Sequence, residues 1–422
     1  MDSYLVESSP ALQGTIQVSG AKNAVLPVMA AAMLAPGESV IENVPNLKDV
    51  RTMADVLRVC GAKVKHEGGR MSIDGSTVDH FEAPYELVKT MRASIYVLGP
   101  LLARFGRAKV SLPGGCAWGP RPVDLHIQGM KALGAEVTVT HGYIEAKAER
   151  LKGGEFDFPI SSVGATANVL MAAVLAEGTS VLTNTSIEPE IDALVDYLNS
   201  MGARIEGKGT RRLVIDGVPA LRPGLGRTIP DRIEAGTFLC AAAATQGCVT
   251  LEKVEPGHMK KVLEKFELMG AKLDIGNDTI TLDARDVKLK PVDITTKPFP
   301  GFPTDMQPQF MALLALVEGR SVITETIYLD RYKHLSELQR LGADLSLRDH
   351  TAVINGVASF SGAPVMASDL RAGAALCIAG FAAEGSTEVS RIYHMDRGYE
   401  NFEEKIAALG GKIKRIPEGS VE

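Results

Sequence analysis

The sequence predicts an α/β fold in which one small unit is repeated six times. Two short phrases support this prediction, because both recur along the whole chain. One closes a helix and opens a strand: CGAKVKH, LGAEVTV, MGARIEG, MGAKLDI, LGADLSL and LGGKIKR. The other leads from a second helix into another strand: LAPGESVIENV, ARFGRAKVSLP, LAEGTSVLTNT, ATQGCVTLEKV, LVEGRSVITET and AAEGSTEVSRI. They alternate at a spacing of roughly 70 residues, which favours compact units over a solenoid.

Each unit is predicted to contain two different helices. The helix DVRTMADVLRVC has a period of about 3.6 residues, and it ends where Gly61 can adopt a left-handed conformation before a β-hairpin. The second helix is rich in Ala, Leu and Met on nearly every side, so it must be buried. We therefore predict β-α-β-α-β-β units with one helix outside and one inside, packed in threes into two similar domains.

Composition and charge exclude several classes of function. The chain has 422 residues, enough for two or more domains, and its net charge of −6 argues against nucleic acid or an anionic membrane as a partner. The N-terminal MDSYLVESSP lacks the features of a signal peptide, and apolar runs such as AVLPVMAAAML are too short to cross a bilayer. We therefore expect a cytoplasmic protein.

The cysteines argue against disulfides and against a structural metal. They number five, an odd count, and show neither CxxC nor zinc-type histidine spacing. Cys60, Cys240, Cys248 and Cys377 lie in apolar surroundings and are predicted to be small core residues. Cys116 alone lies in a glycine-rich turn.

The first turns of the six buried helices carry polar residues that differ from copy to copy. The helices begin at GAKNAVLP, TMRASIYV, SSVGATAN, PDRIEAGT, PTDMQPQF and SDLRAGAA. The residues concerned are Lys22 and Asn23, Arg92, Ser162, Asp231 and Arg232, Asp305, and Asp369 and Arg371. If the domains face each other across these ends, the helix N-termini converge on a cleft suited to an anionic, phosphorylated ligand.

Helix capping is the alternative explanation for these residues. Ser and Asp are favoured N-caps, so each of them is open to that interpretation. The cations Lys22, Arg92 and Arg371 are different, because a positive charge at a helix N-terminus opposes the helix dipole. They need another reason to be there.

The segment GGCAWGPRPVD, residues 114–124, has the composition of a lid. Its glycines permit close approach to a ligand, while Pro120 and Pro122 stiffen the chain around Arg121. A thiol in such a segment, beside a guanidinium, can act as a nucleophile or proton donor, whereas a structural cysteine belongs in the core. We therefore expect Cys116 to be functional.

Three further segments are informative. FPGFPTDMQPQF holds Asp305 at a helix start bracketed by prolines, either as a general base or as an N-cap. MDRGYENFEEK places Arg397 before a glycine, where its donor fork suits a carboxylate or phosphate, or forms a surface ion pair. GARIEGKG nearly matches a phosphate-binding loop, but Gly209 replaces the hydroxyl residue and the stretch is a predicted hairpin turn. The chain has no dinucleotide glycine fingerprint and no HExxH.

The repeats, together with GGCxxGxRPVDLH, SGAKNA, SVGAT, PDRIEAGTF, FPTDMQ, SDLRA and MDRGYE, resemble the enolpyruvyl transferases along essentially the whole chain. The resemblance implies a two-domain inside-out α/β barrel built from six β-α-β-α-β-β repeats. Residues 22–229 would form one domain, and residues 1–21 plus 230–422 the other. It further implies transfer of the enolpyruvyl group of phosphoenolpyruvate to the 3′-hydroxyl of UDP-N-acetylglucosamine, with no cofactor, no metal and no obligate protein partner.

The resemblance also assigns roles to residues. Phosphoenolpyruvate would be held by Lys22, Cys116, Arg121 and Arg397, with Asp305 deprotonating the sugar and Cys116 protonating the methylene carbon or forming an adduct. The acceptor would be bound by Asn23, Arg92, Arg121, Pro122, Val123, Asp124, Leu125, Ser162, Val163, Gly164, Asp305 and Ile327. Arg331, Asp369 and Arg371 would also bind substrate.

Three places depart from the family pattern, and two other functions remain open. FPISSVGAT has no basic residue just ahead of SVGAT, Ile187 replaces an arginine, and Ala117 and Trp118 flank the cysteine differently. Six repeats also occur in ring-shaped DNA clamps, which need a basic inner surface that apolar helices do not supply. A catalytically silent sugar-nucleotide binder of the same fold is the other alternative.

Overall fold

The computed structural model describes residues 2–89, 91–112 and 123–417. The chain forms two compact units. We call Gly20–Ile229 the central unit, and Met1–Ser19 together with Pro230–Glu422 the terminal unit. Each unit has its own hydrophobic core.

The described residues form short strands and mostly short helices. The strands are β1 (Ser3–Glu7), β2 (Gln13–Gln17), β3 (Glu38–Glu42), β4 (Lys63–Glu67), β5 (Arg70–Asp74), β6 (Glu82–Ala83), β7 (Arg107–Ser111), β8 (Glu136–Thr140), β9 (Tyr143–Lys147), β10 (Glu155–Asp157), β11 (Thr179–Thr183), β12 (Arg204–Glu206), β13 (Arg212–Asp216), β14 (Leu225–Arg227), β15 (Cys248–Glu252), β16 (Lys272–Ile275), β17 (Thr279–Asp283), β18 (Ile294–Thr295), β19 (Arg320–Thr324), β20 (Asp344–Arg348), β21 (Thr351–Asn355), β22 (Phe360–Ser361), β23 (Val365–Met366), β24 (Ala383–Glu384), β25 (Ser386–Ser390) and β26 (Ile413–Ile416). The helices are α1 (Lys22–Ala31), α2 (Lys48–Val59), α3 (Tyr85–Val88), α4 (Leu98–Phe105), α5 (Asp124–Ala132), α6 (Val163–Ala173), α7 (Pro189–Ser200), α8 (Arg232–Ala244), α9 (Lys260–Met269), α10 (Gln307–Leu314), α11 (Leu335–Arg340), α12 (Leu370–Phe381) and α13 (Phe402–Ala408).

Six four-stranded sheets follow one plan. The central unit contains the orders β14-β3-β5-β4, β6-β7-β9-β8 and β10-β11-β13-β12, and the terminal unit contains β2-β15-β17-β16, β18-β19-β21-β20 and β23-β25-β1-β26. In each sheet the first pair is parallel and the other two pairs are antiparallel. The predicted six-fold repeat of a β-α-β-α-β-β unit is confirmed.

Strands from distant parts of the chain complete three of these sheets. In the central unit β14 pairs with β3, so that Leu225 lies opposite Val40. In the terminal unit β2 pairs with β15, and β1 takes the place of the last hairpin strand between β25 and β26. The N-terminal strands therefore close sheets that begin more than two hundred residues later.

The inner helices are enclosed by the sheets of their own unit, as their composition predicts. In α6 every residue from Ala165 to Ala173 is buried, and in α12 every residue from Arg371 to Phe381 is buried. Helix α4 packs against α6, and α10 packs against α12. Helices such as α2 are buried on one face only, so the inside-out arrangement of inner and outer helices is confirmed.

Glycines in the repeated phrase end the outer helices as predicted. Gly61 has φ of +97°, and the equivalent glycines of the other five copies also lie in the left-handed region. A side chain would be strained there, which explains why the phrase recurs. The near-match GARIEGKG, residues 202–209, contains β12 and the beginning of the turn to β13, so its interpretation as part of a hairpin is also confirmed.

Two predicted starts of inner helices were wrong. Arg92 lies on a 3-10 turn, and α4 begins only at Leu98. Asp305 likewise lies on a 3-10 turn before α10. In both copies a proline, Pro100 or Pro308, follows closely, and a residue without an N–H is accommodated in the first turn of an α-helix.

Three of the four cysteines that are predicted to lie in the core are buried there. Cys60, Cys240 and Cys377 are buried, whereas Cys248 is half-buried. Burial raises the pKa of each of the three buried thiols. Among the described helices, none combines the length and hydropathy that a bilayer crossing requires.

We predict that Gly129→Ala destabilises the protein. A Cβ at Gly129 of α5 would lie 2.2 Å from Cγ2 of Val169 on α6, and a β-branched side chain has little room to turn away. Overpacking of this kind costs about 1–3 kcal/mol, more than the roughly 1 kcal/mol by which alanine favours a helix. The free energy of unfolding from urea denaturation should fall, although helix propensity alone predicts a rise.

Gly257→Ala is the matched control. A Cβ there would meet only the flexible end of Glu255, at 3.3 Å. Equal or greater stability of Gly129→Ala relative to the wild type would contradict close packing of α5 on α6.

Candidate active site

A buried ion pair explains the cation at the start of α1. The Nζ of Lys22 lies 3.4 Å from Oδ2 of Asp49, and both side chains are largely buried. Asp49 belongs to the first turn of α2, where a carboxylate also suits the helix dipole. The carboxylate therefore offsets the repulsion between the Lys22 ammonium and the N-terminus of its own helix.

The other predicted residues of the central unit lie at helix starts. Asn23 is exposed beside Lys22, Arg92 is half-buried on its 3-10 turn, and Asp124 is the first residue of α5. Val123, Leu125, Val163 and Gly164 are half-buried at the starts of α5 and α6. Cys116, Arg121 and Pro122 lie outside the described residues.

Ser162 is a helix cap. Its hydroxyl accepts a hydrogen bond from the backbone N–H of Ala165 at 3.4 Å. The capping interpretation of this residue is therefore confirmed, and the half-buried side chain still lies at the surface of the helix start.

A buried histidine next to these residues was missed by the sequence analysis. The side-chain amide of Asn168 accepts a hydrogen bond from the N–H of Gly99 at 2.7 Å and donates to the carbonyl of Ile95 at 2.8 Å. Its Nδ2 also lies 3.0 Å from Nδ1 of His126. Both amide hydrogens are therefore used as donors, so Nδ1 accepts and the His126 proton resides on Nε2.

The environment keeps His126 neutral. Burial, assisted by the positive charge of Arg92, lowers the pKa of His126 to about 4. The ring lies beside Gly164, because a Cβ built there would meet Cε1 and Nε2 at 3.6 Å. The structure thus brings a neutral N–H donor next to two predicted binding residues, Arg92 and Gly164.

In the terminal unit, Asp305 is held by two arginines. Its Oδ1 accepts a hydrogen bond from Nη1 of Arg331 at 2.7 Å, and its Oδ2 accepts from Nη2 and Nε of Arg371 at 3.1 and 3.3 Å. The two guanidinium side chains are 6% and 1% exposed, whereas the carboxylate is 26% exposed. Charged partners therefore fix Asp305 from the core side and leave part of it open to solvent.

The charges of this cluster stabilise one another. Burial opposes the charged form of Arg331, but the carboxylate of Asp305 outweighs it and raises the pKa of that guanidinium. Burial acts in the same way on Arg371, whose pKa is nevertheless raised by Tyr399 and Asp305. Asp305 is thus not an N-cap, unlike the other two aspartates at helix starts.

Asp231 and Asp369 are N-caps. Asp231 accepts hydrogen bonds from the N–H groups of Ile233 and Glu234, at 2.8 and 3.1 Å. Asp369 caps α12 in the same way, accepting from the N–H of Arg371 at 2.8 Å. The capping alternative is therefore confirmed for these two.

A buried glutamate organises the segment that carries Ile327. Glu325 accepts hydrogen bonds from the N–H groups of Ile327 and Tyr328 at 2.8 and 3.1 Å, and from the hydroxyl of Thr304 at 2.8 Å. The same threonine accepts from Arg331 at 3.1 Å. The backbone at Ile327 is thus tied to the turn that presents Asp305.

A buried network of aromatic, hydroxyl and amide side chains lies beside Arg371. Its guanidinium carbon lies 5.2 Å from the ring centroid of Tyr399. The Tyr399 hydroxyl lies 2.9 Å from that of Thr237, and Nε2 of Gln309 is 3.3 Å from the Tyr399 hydroxyl. This buried network joins the starts of α8, α10 and α12 to the segment that follows Arg397.

Arg397 ends a 3-10 turn, Ile392–Arg397, and is half-buried. Ile392 and Met395 of this turn are buried in the core of the terminal unit. Gly398 follows immediately and packs on Leu370, because a Cβ there would lie 2.3 Å from Leu370 Cδ1. A larger residue here would displace the end of the Leu370 side chain, so the glycine lets the turn pack closely on α12.

The terminal unit offers an oriented carboxylate, and each unit offers cationic side chains. Asp305 can accept a proton, and Lys22, Arg92 and Arg397 can bind anionic groups. Across residues 2–89, 91–112 and 123–417 the structure contains no cluster of His, Cys, Asp or Glu suited to a metal ion. The sequence analysis missed His126, Asn168, Glu325 and Tyr399, since their contacts join residues far apart in the chain.

Comparison with known proteins shows the family of the chain. Residues 6–406 match the family described as EPSP synthase (3-phosphoshikimate 1-carboxyvinyltransferase). The chain is similar to a UDP-N-acetylglucosamine 1-carboxyvinyltransferase of Desulfosudis oleivorans, with 51% identity over 99% of this chain and 100% of that protein. A protein of the same name from Chloroherpeton thalassium is 53% identical, over 98% and 97% of the two chains.

The fold is also that of a solved enolpyruvyl transferase. The enolpyruvyl transferase NikO from Streptomyces tendae superimposes with a TM-score of 0.90 and 27% identity. The match covers 98% of this chain and 99% of that one.

Stability should fall as the pH drops from about 6.5 towards 4, because of His126. The unfolded chain protonates this histidine near pH 6.5, whereas the folded protein, with a pKa of about 4, does not. The folding free energy from this group is therefore fully present above pH 6.5 and is lost on acidification, by up to roughly 3 kcal/mol. His126→Gln, which cannot titrate, should lose less stability than the wild type between pH 7 and pH 4.5 in urea denaturation.

The exposed His80 provides the control. His80→Gln removes a histidine at the surface, so it shows what the loss of a histidine does without the change in burial. If His126→Gln and His80→Gln had the same pH dependence of stability, the buried neutral state of His126 would be disproved.

Proposed function

Since the chain belongs to the EPSP synthase (3-phosphoshikimate 1-carboxyvinyltransferase) family and is an enolpyruvyl transferase, we propose that UDP-N-acetylglucosamine is its acceptor. It would transfer the enolpyruvyl group of phosphoenolpyruvate to the 3′-hydroxyl and release phosphate. The observation that supports this acceptor most strongly is the 51–53% identity, over nearly complete chains, with relatives named for that substrate. The reaction would be the first committed step of peptidoglycan precursor synthesis, in the cytoplasm, and would thereby serve cell shape and division.

Phosphoenolpyruvate carries a carboxylate and a phosphate, so its site must supply several cations. We assign Lys22, Arg121 and Arg397 to this role, together with Cys116. The burial of Lys22 beside Asp49 supports the assignment, since a fixed ammonium is worth more to an anion than a mobile surface lysine. Arg397 is likewise presented on a turn whose apolar residues are buried.

Asp305 is assigned as the base that receives the proton of the 3′-hydroxyl. The hydroxyl oxygen then bonds to C2 of phosphoenolpyruvate, while Cys116 delivers a proton to the methylene carbon, C3. The Cys116 thiolate then takes a proton back from C3 while the bond between C2 and the phosphate oxygen breaks, which restores the double bond and releases phosphate. Two buried guanidinium groups orient the Asp305 carboxylate, and positional control of this kind is what general base catalysis requires.

Twelve residues are assigned to the acceptor: Asn23, Arg92, Arg121, Pro122, Val123, Asp124, Leu125, Ser162, Val163, Gly164, Asp305 and Ile327. Arg331, Asp369 and Arg371 are assigned to substrate binding. We further propose that each unit is one enolpyruvyl-transferase domain of three repeats, with boundaries close to residues 21 and 229.

Shikimate 3-phosphate is the alternative acceptor, because the description of the family names it. A silent binder of sugar nucleotides is disfavoured by the oriented Asp305 and the buried Lys22, both of which a binding protein does not need. The departures just ahead of Ser162, at Ile187 and at Trp118 leave the proposed catalytic residues unchanged.

Phosphate release from phosphoenolpyruvate should depend on UDP-N-acetylglucosamine. Purified protein is assayed with this acceptor, with shikimate 3-phosphate and with no acceptor. We expect release with the sugar nucleotide only, and a loss of at least about 100-fold in kcat for Asp305→Asn, since a positioned base contributes about 10²–10⁴-fold.

Asp305→Asn is also the control for a contaminating phosphatase. Phosphate release by such a contaminant would be the same in preparations of the wild type and of the variant. Release with shikimate 3-phosphate alone would move the acceptor to the other branch of the family. No release with either acceptor would favour the silent binder.

Cys116→Asp should keep part of the activity and lose sensitivity to the epoxide antibiotic fosfomycin. An aspartic acid can still deliver a proton, but it lacks the thiolate that an epoxide alkylates. Activity is measured after incubation with the antibiotic, and labelling of the wild type is followed by intact mass. Inactivation of Cys116→Asp by the epoxide would contradict the assignment of Cys116 as the reactive thiol.

A further inference from the structure

The residue before Arg397 is bound by an arginine that lies 19 residues further along the chain. Nη2 of Arg415 donates to Oδ1 of Asp396 at 2.6 Å, and Nη1 donates to Oδ2 at 3.2 Å. This is a bidentate pair, the geometry in which guanidinium and carboxylate constrain each other most strongly. Asp396 lies on the 3-10 turn Ile392–Arg397, directly beside Arg397 in the chain.

Arg415 is itself fixed from several directions. It belongs to β26, whose backbone pairs with β1 in the sheet β23-β25-β1-β26. Its Nε donates to Glu403 of α13 at 2.8 Å, and its Nη2 also donates to the hydroxyl of Tyr4 at 2.9 Å. The Tyr4 hydroxyl in turn donates to Glu403 at 2.6 Å.

These contacts hold the Arg415 side chain more firmly than an ordinary surface ion pair would. The Arg415 side chain is 29% exposed and that of Asp396 is 31% exposed, and the guanidinium carbon lies 5.1 Å from the centroid of the Tyr4 ring. Since the side chain is held by Glu403 and the Tyr4 hydroxyl, little entropy remains to be lost when it binds Asp396. The pair therefore ties the turn Ile392–Arg397 to the sheet that contains β26.

The turn is constrained on its other sides by packing. Met395 is buried against α12, because a Cβ at Gly373 would lie 2.8 Å from Met395 Cγ. Gly398 meets Leu370 in the same way on the far side of Arg397. Asp396 and Arg397 lie between these apolar contacts, and in the described residues the Asp396 carboxylate bonds to Arg415.

We propose that Arg415 and Asp396 are positioning residues for Arg397 and thereby for the phosphoenolpyruvate carboxylate or phosphate. This inference rests on the proposed function, in which Arg397 binds that substrate. The bidentate pair holds the turn in one orientation, so that the Arg397 guanidinium is presented to the anion without rearrangement. Neither Arg415 nor Asp396 touches the substrate.

Asp396→Asn tests the proposal, because it keeps the size of the side chain and removes its charge. We expect KM for phosphoenolpyruvate to rise about 10- to 100-fold, the range that small misplacements of binding groups produce. KM for UDP-N-acetylglucosamine should change by less than about twofold. A purely structural role would not separate the two substrates in this way.

Glu403→Gln is the matched control. It removes another carboxylate from the same guanidinium and has similar exposure, 25%, but it leaves the bidentate pair with Asp396 intact. Both variants should show similar thermal unfolding midpoints, and only Asp396→Asn should raise KM for phosphoenolpyruvate. Equal effects of the two variants, or equal effects on both substrates, would overturn the proposal.

Two further variants complete the test. Arg415→Lys, which keeps the charge but not the fork, should give an intermediate KM for phosphoenolpyruvate. Arg397→Ala distinguishes the binding role of Arg397 from the positioning role of Asp396 and Arg415. If it leaves phosphoenolpyruvate binding unchanged, the proposed function of Arg397 fails; if it abolishes binding while Asp396→Asn has no effect, only the positioning role fails.

Discussion

Enclosure of the six inner helices is the constraint on which the rest of the structure depends. A helix buried on every side can present polar groups only at its ends, where backbone N–H groups are free. The candidate residues accordingly lie at helix starts or on the short turns before them. Because the sheets enclose the helices, the core can remain aliphatic while charged residues lie at the helix starts.

The charged side chains at those helix ends are stabilised by specific partners of opposite charge. Lys22 has Asp49, and Asp305 has Arg331 and Arg371. Glu234 is fully enclosed, and burial raises its pKa to about 6 although Lys405 opposes this. An unpaired charge in such places would cost several kcal/mol, so the pairs serve the fold as well as the site. Asp305 differs from the two capping aspartates in using side-chain partners, which leaves one edge of its carboxylate accessible.

The repeats are not independent units, because strands from distant parts of the chain complete three of the sheets. β14 completes the first sheet of the central unit, and β1 and β2 complete two sheets of the terminal unit. An unpaired sheet edge would expose backbone donors and acceptors, so each closing strand protects its unit. The same strand pairing brings Tyr4 of β1 to Arg415 of β26 and so connects the N-terminus with the turn that carries Arg397.

The sequence by itself determined the repeat, the two kinds of helix, the left-handed glycines and the residues at the helix starts. These follow from local periodicity and backbone sterics, which are properties of short segments. Only the tertiary structure decided which aspartate is a cap and which is held by arginines, because that depends on Arg331 and Arg371 approaching Asp305 from other elements. The neutral His126 beside Asn168 and the bidentate pair of Arg415 with Asp396 have the same origin. Each joins side chains far apart in the chain, and no local pattern encodes which distant partner will arrive.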